Sequence, residues 1–455
     1  MNEFFAPIRR FFAPPPPDPP LTEEVLFRRV YEAYRWRALE ATFIGYAMFY
    51  LVRGNNLSVV AKDMQETLGY TKEMIGNISF VTALTYGISK FLMGSVSDRS
   101  DPRKFMSVGL FLTALCNFAF GATSNYYAHL WLWGLNGFFQ GMGWPPCGRV
   151  MGHWYSESER GLTFSIWNTS TNVGGGLAGP LAAMAVQYYA GWQHAFFVPG
   201  VIATIGAVYL FWRLRDTPQS VGLPAVEDYR NDHPAGGIPE RELERELTFR
   251  ELFVDKVLLN PLVWILAFAN FFAYIARYSM VDWGPTFFRE VKGASRLEGS
   301  WVQTAIEIGG IPSTVFFGWI SDRVGGRRGM MAALCMVPAI AGYAGLAVLP
   351  TDNRTFGYVL LMAIGCFVYS SINLIQIAAL DIASKKAIGT AAGFIGLFGY
   401  MGKMAESKGI GRFLDHYSTV LGTAQAWTVV IYAVLVCSII STLLLAVLWK
   451  FTPRA

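Results

Sequence analysis

GSVSDRSDPRK (residues 94–104) and GWISDRVGGRR (residues 318–328) are two copies of one loop. Each opens on a glycine, reaches Asp-Arg four residues later and ends in a basic pair. Asp98 and Asp322 lie 224 positions apart, about half of the 455 residues. A period of half a chain predicts two like halves. Apolar runs flank both copies. They fall near residues 38–60, 75–96, 105–122, 128–151, 161–189 and 195–213, then near 260–288, 300–320, 330–349, 356–380, 387–411 and 424–450. A helix needs about 20 apolar residues to cross the hydrocarbon of a bilayer. The pattern therefore predicts an all-α membrane protein of 12 transmembrane helices in two six-helix bundles, residues 37–213 and 260–450.

Composition agrees. The chain is 53% hydrophobic and 15% charged, with a mean hydropathy of +0.34; soluble domains carry about 25% charged residues. The net charge of +5 then marks membrane-flanking loops, not a nucleic-acid surface. Arg99, Arg103, Lys104, Arg160, Arg323, Arg327, Arg328, Lys385 and Lys386 all fall in even-numbered loops, and the loops near 123–127 and 188–194 carry no Lys or Arg. The positive-inside rule places both termini in the cytoplasm. Residues 1–36, with FFAPPPPDPP (11–20) and an amphipathic stretch, are expected to form a cytoplasmic segment and an interfacial helix, and 214–259 a cytoplasmic inter-bundle loop.

The charges inside the spans carry the functional reading. Adding the 224-residue period to Arg53, in YAMFYLVRGNNLSVV (46–60), gives Arg277, in FFAYIARYSMVDW (271–283). A cation at the bilayer centre costs about 2.5–3.5 kcal/mol on insertion scales. Two of them facing each other at about 10 Å repel by about 1.7 kcal/mol at an effective dielectric near 20. A dianion between them turns repulsion into attraction, and guanidinium forks suit a phosphate. A dicarboxylate or sulfate also fits this pattern, and stems that only snorkel to the interface are the bland alternative. Tyr46, Tyr50, Tyr274 and Tyr278 flank the pair. Lys90 is a third cation within a span, and Glu307 is a candidate to balance it. Lys403 and Glu406 are spaced to pair on one helix face, with Lys408 on another. NTSTNVGGGLAGP (168–180) reads as close helix packing, with Thr171 and Asn172 placed to face a cavity. Asp98, Arg99, Asp322 and Arg323 are expected to gate the cytoplasmic side.

The five cysteines have no metal-ligand spacing, and the five histidines lie at span ends or in loops. No nucleophile constellation and no Walker motif is present, so neither an enzyme nor a bound cofactor or metal is expected.

FIGYAMFYLVRGNN (43–56), YGISKFLMGSVSDRSDPRKF (86–105), FQGMGWPPCGRVMGHW (139–154), RDTPQSVGLPAVEDYRNDHP (215–234), AYIARYSMVDWGPTFF (273–288) and GTAAGFIGLFGY (389–400) together resemble the organophosphate:phosphate antiporters of the major facilitator superfamily. The likeness runs from about residue 40 to 445. It implies exchange of a phosphorylated metabolite, such as glycerol 3-phosphate or another sugar phosphate, for inorganic phosphate by alternating access, in a monomer of the bacterial inner (plasma) membrane. It implies phosphoryl binding by Arg53 and Arg277, and cavity positions for Lys90, Tyr46, Tyr50, Tyr274, Trp144, Glu307 and Tyr400. The chain departs from glycerol-3-phosphate carriers in two places. Thr171 replaces a histidine, and Lys403, Glu406 and Lys408 resemble the charged eleventh helix of hexose-phosphate carriers. A hexose-phosphate carrier, a sugar-phosphate membrane sensor with little transport, and a proton-coupled organic anion symporter are the competing expectations.

Overall fold

The computed structural model describes residues 6–18, 24–231, 254, 257–350, 353–382 and 388–451. Lys385 and Lys386, and residues 232–253 of the inter-bundle loop, lie outside the described residues. A short helix α1 (Ala6–Phe12) precedes the first half, built from α2 (Glu24–Leu51), α3 (Asn55–Leu68), α4 (Lys72–Ser97), α5 (Pro102–Gly121), α6 (Tyr126–Gln140), α7 (Trp144–Trp154), α8 (Glu157–Tyr189) and α9 (His194–Arg213). A small helix α10 (Val226–Arg230) follows in the connection. The second half holds α11 (Pro261–Val291), α12 (Arg296–Arg323), α13 (Arg328–Val348), α14 (Arg354–Ile382), α15 (Ile388–Leu421) and α16 (Thr423–Val447).

Local chemistry sets the ends. Thr71 caps α4 by accepting from the Met74 amide at 3.1 Å, and Gly69 ends α3 at φ 70°. Asp101 caps α5 ahead of Pro102, and Ser295 with Glu298 forms a reciprocal capping box on α12. The amphipathic stretch after the proline segment is no separate interfacial helix. From Glu24 it runs without interruption to Leu51, because nothing between breaks the helix.

Two spans are broken instead of straight. The first divides between α2 and α3 at Val52–Gly54, and the fourth divides between α6 and α7 at Gly141–Gly143. Among the described residues six helices, α5, α9, α11, α13, α14 and α16, are long and apolar enough to cross a membrane by length and composition. The other spans are the two broken ones and α4, α8, α12 and α15, which carry charges such as Lys90, Glu307 and Lys403 in their lengths. Polar spans of this kind face the bundle interior or water.

The glycine run of α8 packs. A Cβ on Gly174 would lie 2.2 Å from the Ala47 carbonyl of α2, and one on Gly179 would lie 2.3 Å from Gln303 of α12. The halves are joined at the end opposite the repeated basic loops. There Asp63 of α3 meets both Arg289 and Arg296, with Arg289 Nη1 at 2.7 Å. Lys72 Nζ is 3.1 Å from Glu290, and Asp415 accepts from the Lys72 and Glu73 amides at 2.9 and 2.6 Å. Among the described residues no ion pair crosses between the halves at the basic-loop end.

Candidate functional site

Arg53 sits in the break between α2 and α3, where the regular helical ladder is interrupted. Such backbone is tolerated at membrane depth only where other protein groups satisfy it. Asn117 and Asn136 each donate to the Val52 carbonyl at 3.1 Å, and Asn136 donates to the Arg53 carbonyl at 3.1 Å. Gln140 donates to the Phe49 carbonyl at 2.9 Å, and its other amide atom accepts from Arg53 Nε at 3.2 Å. One side chain thus repairs the end of α2 and aims the guanidinium. The group lies over the rings of Tyr50 and Tyr86 at 4.1 and 4.6 Å.

Arg277 stands on an unbroken helix, α11, so the two halves hold their arginines differently despite the repeat. Its guanidinium lies over Tyr369 at 4.0 Å and Tyr278 at 5.1 Å. Tyr369 donates to Glu307 at 2.5 Å, and Asn172 donates to the other Glu307 oxygen at 2.7 Å. Glu307 therefore serves the Arg277 side across α12 and α14, and ties α8 to α12. It does not balance Lys90, whose ammonium stands over the Trp144 ring at 5.5 Å, about two turns short of the first basic loop.

Arg53 and Arg277 line one cavity, together with Tyr50, Tyr278, Asn55, Trp133, Asp282, Glu307 and Lys403. Each arginine keeps one buried nitrogen without a hydrogen-bond partner, Nη2 of Arg53 and Nε of Arg277. Neither guanidinium forms an ion pair among the described residues. A buried charge is ordinarily paired, because leaving it unpaired costs several kcal/mol. The cavity thus carries Arg53, Arg277 and Lys403 together with the carboxyl groups of Asp282 and Glu307, and neither arginine is in direct contact with either acid.

The remaining expected residues divide. Tyr86, Tyr400 and Tyr274 form an aromatic chain beside the arginines, with centroids 5.1 Å (Tyr86–Tyr400) and 5.8 Å (Tyr274–Tyr400) apart. Tyr46 is buried and stacks on Trp167 at 5.1 Å. Thr171 turns its hydroxyl to the Asn168 carbonyl at 2.9 Å, while its neighbour Asn172 makes the contact to Glu307. Lys403 does not pair with Glu406. Its ammonium is 3.4 Å from Asp282 on α11 and lies over Tyr278 at 4.0 Å, because the neighbouring helix offers a nearer carboxylate than its own next turn. Glu406 is buried and accepts from the Ser407 hydroxyl at 3.1 Å.

Among the loop charges, Arg328 binds Asp322 at 2.5 Å and Asp381 at 3.2 Å within the second half. Arg323 lies over Trp319 at 3.9 Å, and Arg99 is exposed. Asp98 offers its carbonyl to Arg149, which pairs with Asp216 at 2.9 Å within the first half. In this conformation these charges act inside their own halves.

Sequence reasoning passed over Tyr86, Tyr369, Gln140, Asn136, Asp282 and Asp63. Asp282 carried a signal, a lone carboxylate five residues after Arg277 in an apolar run. The aromatic and amide residues carried none, since their types are common in any span.

Residues 42–405 match the family model described as Major Facilitator Superfamily. The chain is 39% identical to the glycerol-3-phosphate transporter of Bacillus subtilis over 93% of this chain and 94% of that one. It is 37% identical to a probable hexose phosphate transport protein of Chlamydia muridarum over 98% of both, and 35% identical to the membrane sensor protein UhpC of Escherichia coli over 90% and 93%. Among solved structures, a bacterial homologue of the human lysosomal transporter Spinster, inward-facing and unoccupied, superposes with a TM-score of 0.75 at 15% identity, covering 92% of this chain and 99% of that one. The first likenesses fix the family and the last the fold: this chain is an integral membrane protein of the Major Facilitator Superfamily and belongs to its organophosphate:phosphate antiporter family.

Proposed function

We propose that the protein exchanges a small organophosphate for inorganic phosphate across a bacterial inner membrane. The carrying observation is the pair of guanidiniums, one from each half, each with a buried nitrogen left over and both facing one cavity. A phosphate dianion supplies two charges and acceptors for both free N–H groups. Loaded, it draws the halves together; empty, the cations resist closure. That couples movement in one direction to movement in the other, with the halves rocking about the site. Tyr50, Tyr278, Glu307 and Lys403 line the same space and suit the hydroxyls of the organic part, whether glycerol or hexose. The relatives named for glycerol 3-phosphate and hexose phosphate support the substrate class. Both termini lie on the side of the basic loops, and the working unit is a monomer. When the opposite face opens, the loop charges Asp98, Arg99, Asp322 and Arg323 gate the basic-loop end.

The test is reconstitution. Purified protein in liposomes loaded with radiolabelled phosphate should release label only when glycerol 3-phosphate or glucose 6-phosphate is added outside. Competition among these, 3-phosphoglycerate and phosphoenolpyruvate then ranks the substrates. Binding without release contradicts exchange and describes a sensor, as one relative is named. Uptake that collapses with the proton gradient while internal phosphate is plentiful describes a symporter.

A further inference from the structure

The outward face of α15 carries charges that the central cavity does not use. Lys403 lines that cavity. Arg412 lies nine positions further on, which at 3.6 residues per turn is about 180° around the helix, so it faces directly away. Leu397 and Met401, 49% and 40% exposed, share this outward face nearer the basic-loop end and mark it as the lipid-facing side. Beyond them the face turns polar. Lys408, Arg412 and His416 follow at four-residue steps, all exposed. The spacing and resemblance read from sequence grouped Lys408 with Lys403 and Glu406; the structure turns it outward instead, over the Phe80 ring of α4 at 5.8 Å. Among the described residues neither Lys408 nor Arg412 forms an ion pair. Charges on a span ordinarily face the bundle interior, so two on the lipid face call for a partner in the lipid.

Depth follows from helical rise. With the cavity near the midplane, Arg412 stands about 14 Å further along the axis, close to the edge of a hydrocarbon layer about 30 Å thick. Lys408 lies one turn deeper and reaches that edge by extending its stem. Both cations then arrive where lipid phosphates lie. Arg412 opens into a cleft of about 680 Å³ that Glu73 of α4 also lines, so both halves contribute to it. That volume falls in the range of about 300–1,000 Å³ usual for ligand pockets, far more than inorganic phosphate fills. Asp415 lines the cleft too, but its oxygens accept from the Lys72 and Glu73 amides at 2.9 and 2.6 Å. The Glu73 carboxylate has no ion pair among the described residues. The cleft thus offers cations and one free acid. A simple anion is opposed by the acid, and a quaternary ammonium gives it no N–H. A phosphodiester that carries a primary ammonium matches both signs. We infer that this cleft, with the flanking Lys408, binds a phospholipid headgroup of that kind, phosphatidylethanolamine, from the leaflet opposite the basic loops. Its phosphate sits on Arg412 and Lys408 and its ammonium on Glu73, as basic pockets between transmembrane helices hold lipid headgroups.

Native mass spectrometry of the full chain tests this without transport, so the result is independent of the exchange reading. Protein purified in detergent and stripped of lipid is titrated with phosphatidylethanolamine, phosphatidylglycerol and phosphatidylcholine of one acyl composition. The expected result is a single retained phosphatidylethanolamine, held about tenfold more tightly than either of the others. The double variant Lys408→Ala, Arg412→Ala should lose about tenfold or more of that affinity, and Arg412→Lys alone should lose less. Glu73→Gln should abolish the preference for phosphatidylethanolamine over phosphatidylglycerol. Inorganic phosphate at millimolar concentration should not displace the lipid, which separates this cleft from the central arginine pair. Wild-type protein without a headgroup preference overturns the inference, even where a variant does not fold. Unchanged lipid affinity in the double variant overturns it as well, and so does displacement of the lipid by phosphate.

Discussion

At the scale of the residue, the demand on Arg53 and Arg277 is geometric as well as electrostatic. Each presents a planar fork with a buried nitrogen that no protein group satisfies. Lysine keeps the charge and loses the fork. Arg53→Lys and Arg277→Lys should each cut phosphate exchange by about 100-fold or more, equal to about 2.7 kcal/mol of lost anion binding, measured as initial efflux from loaded liposomes. Gln140 is a positioning residue. In Gln140→Leu the Phe49 carbonyl and Arg53 Nε both lose a partner. A net hydrogen bond is worth about 1 kcal/mol and a buried unsatisfied group about 1–3. Apparent affinity for phosphate should fall by about 5- to 100-fold, and Gln140→Glu should weaken it at least as much, because a carboxylate there neutralises Arg53 and sets a second acceptor against the Phe49 carbonyl. The arginine pair was legible in the sequence because a cation in a lipid-length run is rare and the repeat doubled it. Its aromatic partners were not. Tyr86 and Tyr369 meet the guanidiniums from other helices, and nothing in a linear pattern says which of many tyrosines turns inward.

At the scale of the element, hydrophobic length gave the number of spans, while breaks and charges gave their roles. The kink at Val52–Gly54 was hidden. No proline marks it, and its stability comes from Asn117, Asn136 and Gln140, far away in the chain. The Lys403–Glu406 pairing suggested by helical spacing gave way to Lys403–Asp282, because Asp282 on the neighbouring helix stands 3.4 Å from the ammonium. The clamp at the closed face gives a prediction of its own. Asp63 is buried between two arginines, and Asp63→Asn leaves both guanidiniums without their carboxylate. Removing one partner of a buried pair costs about 3–5 kcal/mol. Spin labels at Thr67→Cys on α3 and Thr419→Cys on α15, both exposed positions on opposite halves, should then show the closed population reduced from dominant to minor.

At the scale of the whole molecule, the repeated loop foretold two like halves, and the chain folds that way around one cavity. The symmetry is incomplete where function needs it to be: Arg53 hangs on a broken helix and Arg277 on a whole one. Closure at one end and its absence at the other is a property of this conformation, invisible in sequence because one sequence must serve both arrangements. The central claim is that both guanidiniums hold the same dianion. A double-mutant cycle of phosphate binding tests it, with calorimetric affinities for wild type, Arg53→Gln, Arg277→Gln and the double variant. A shared ligand predicts strong coupling, with the second substitution costing at least about 1.5 kcal/mol less once the first has been made. Additive losses, or full binding in either single variant, would contradict the account.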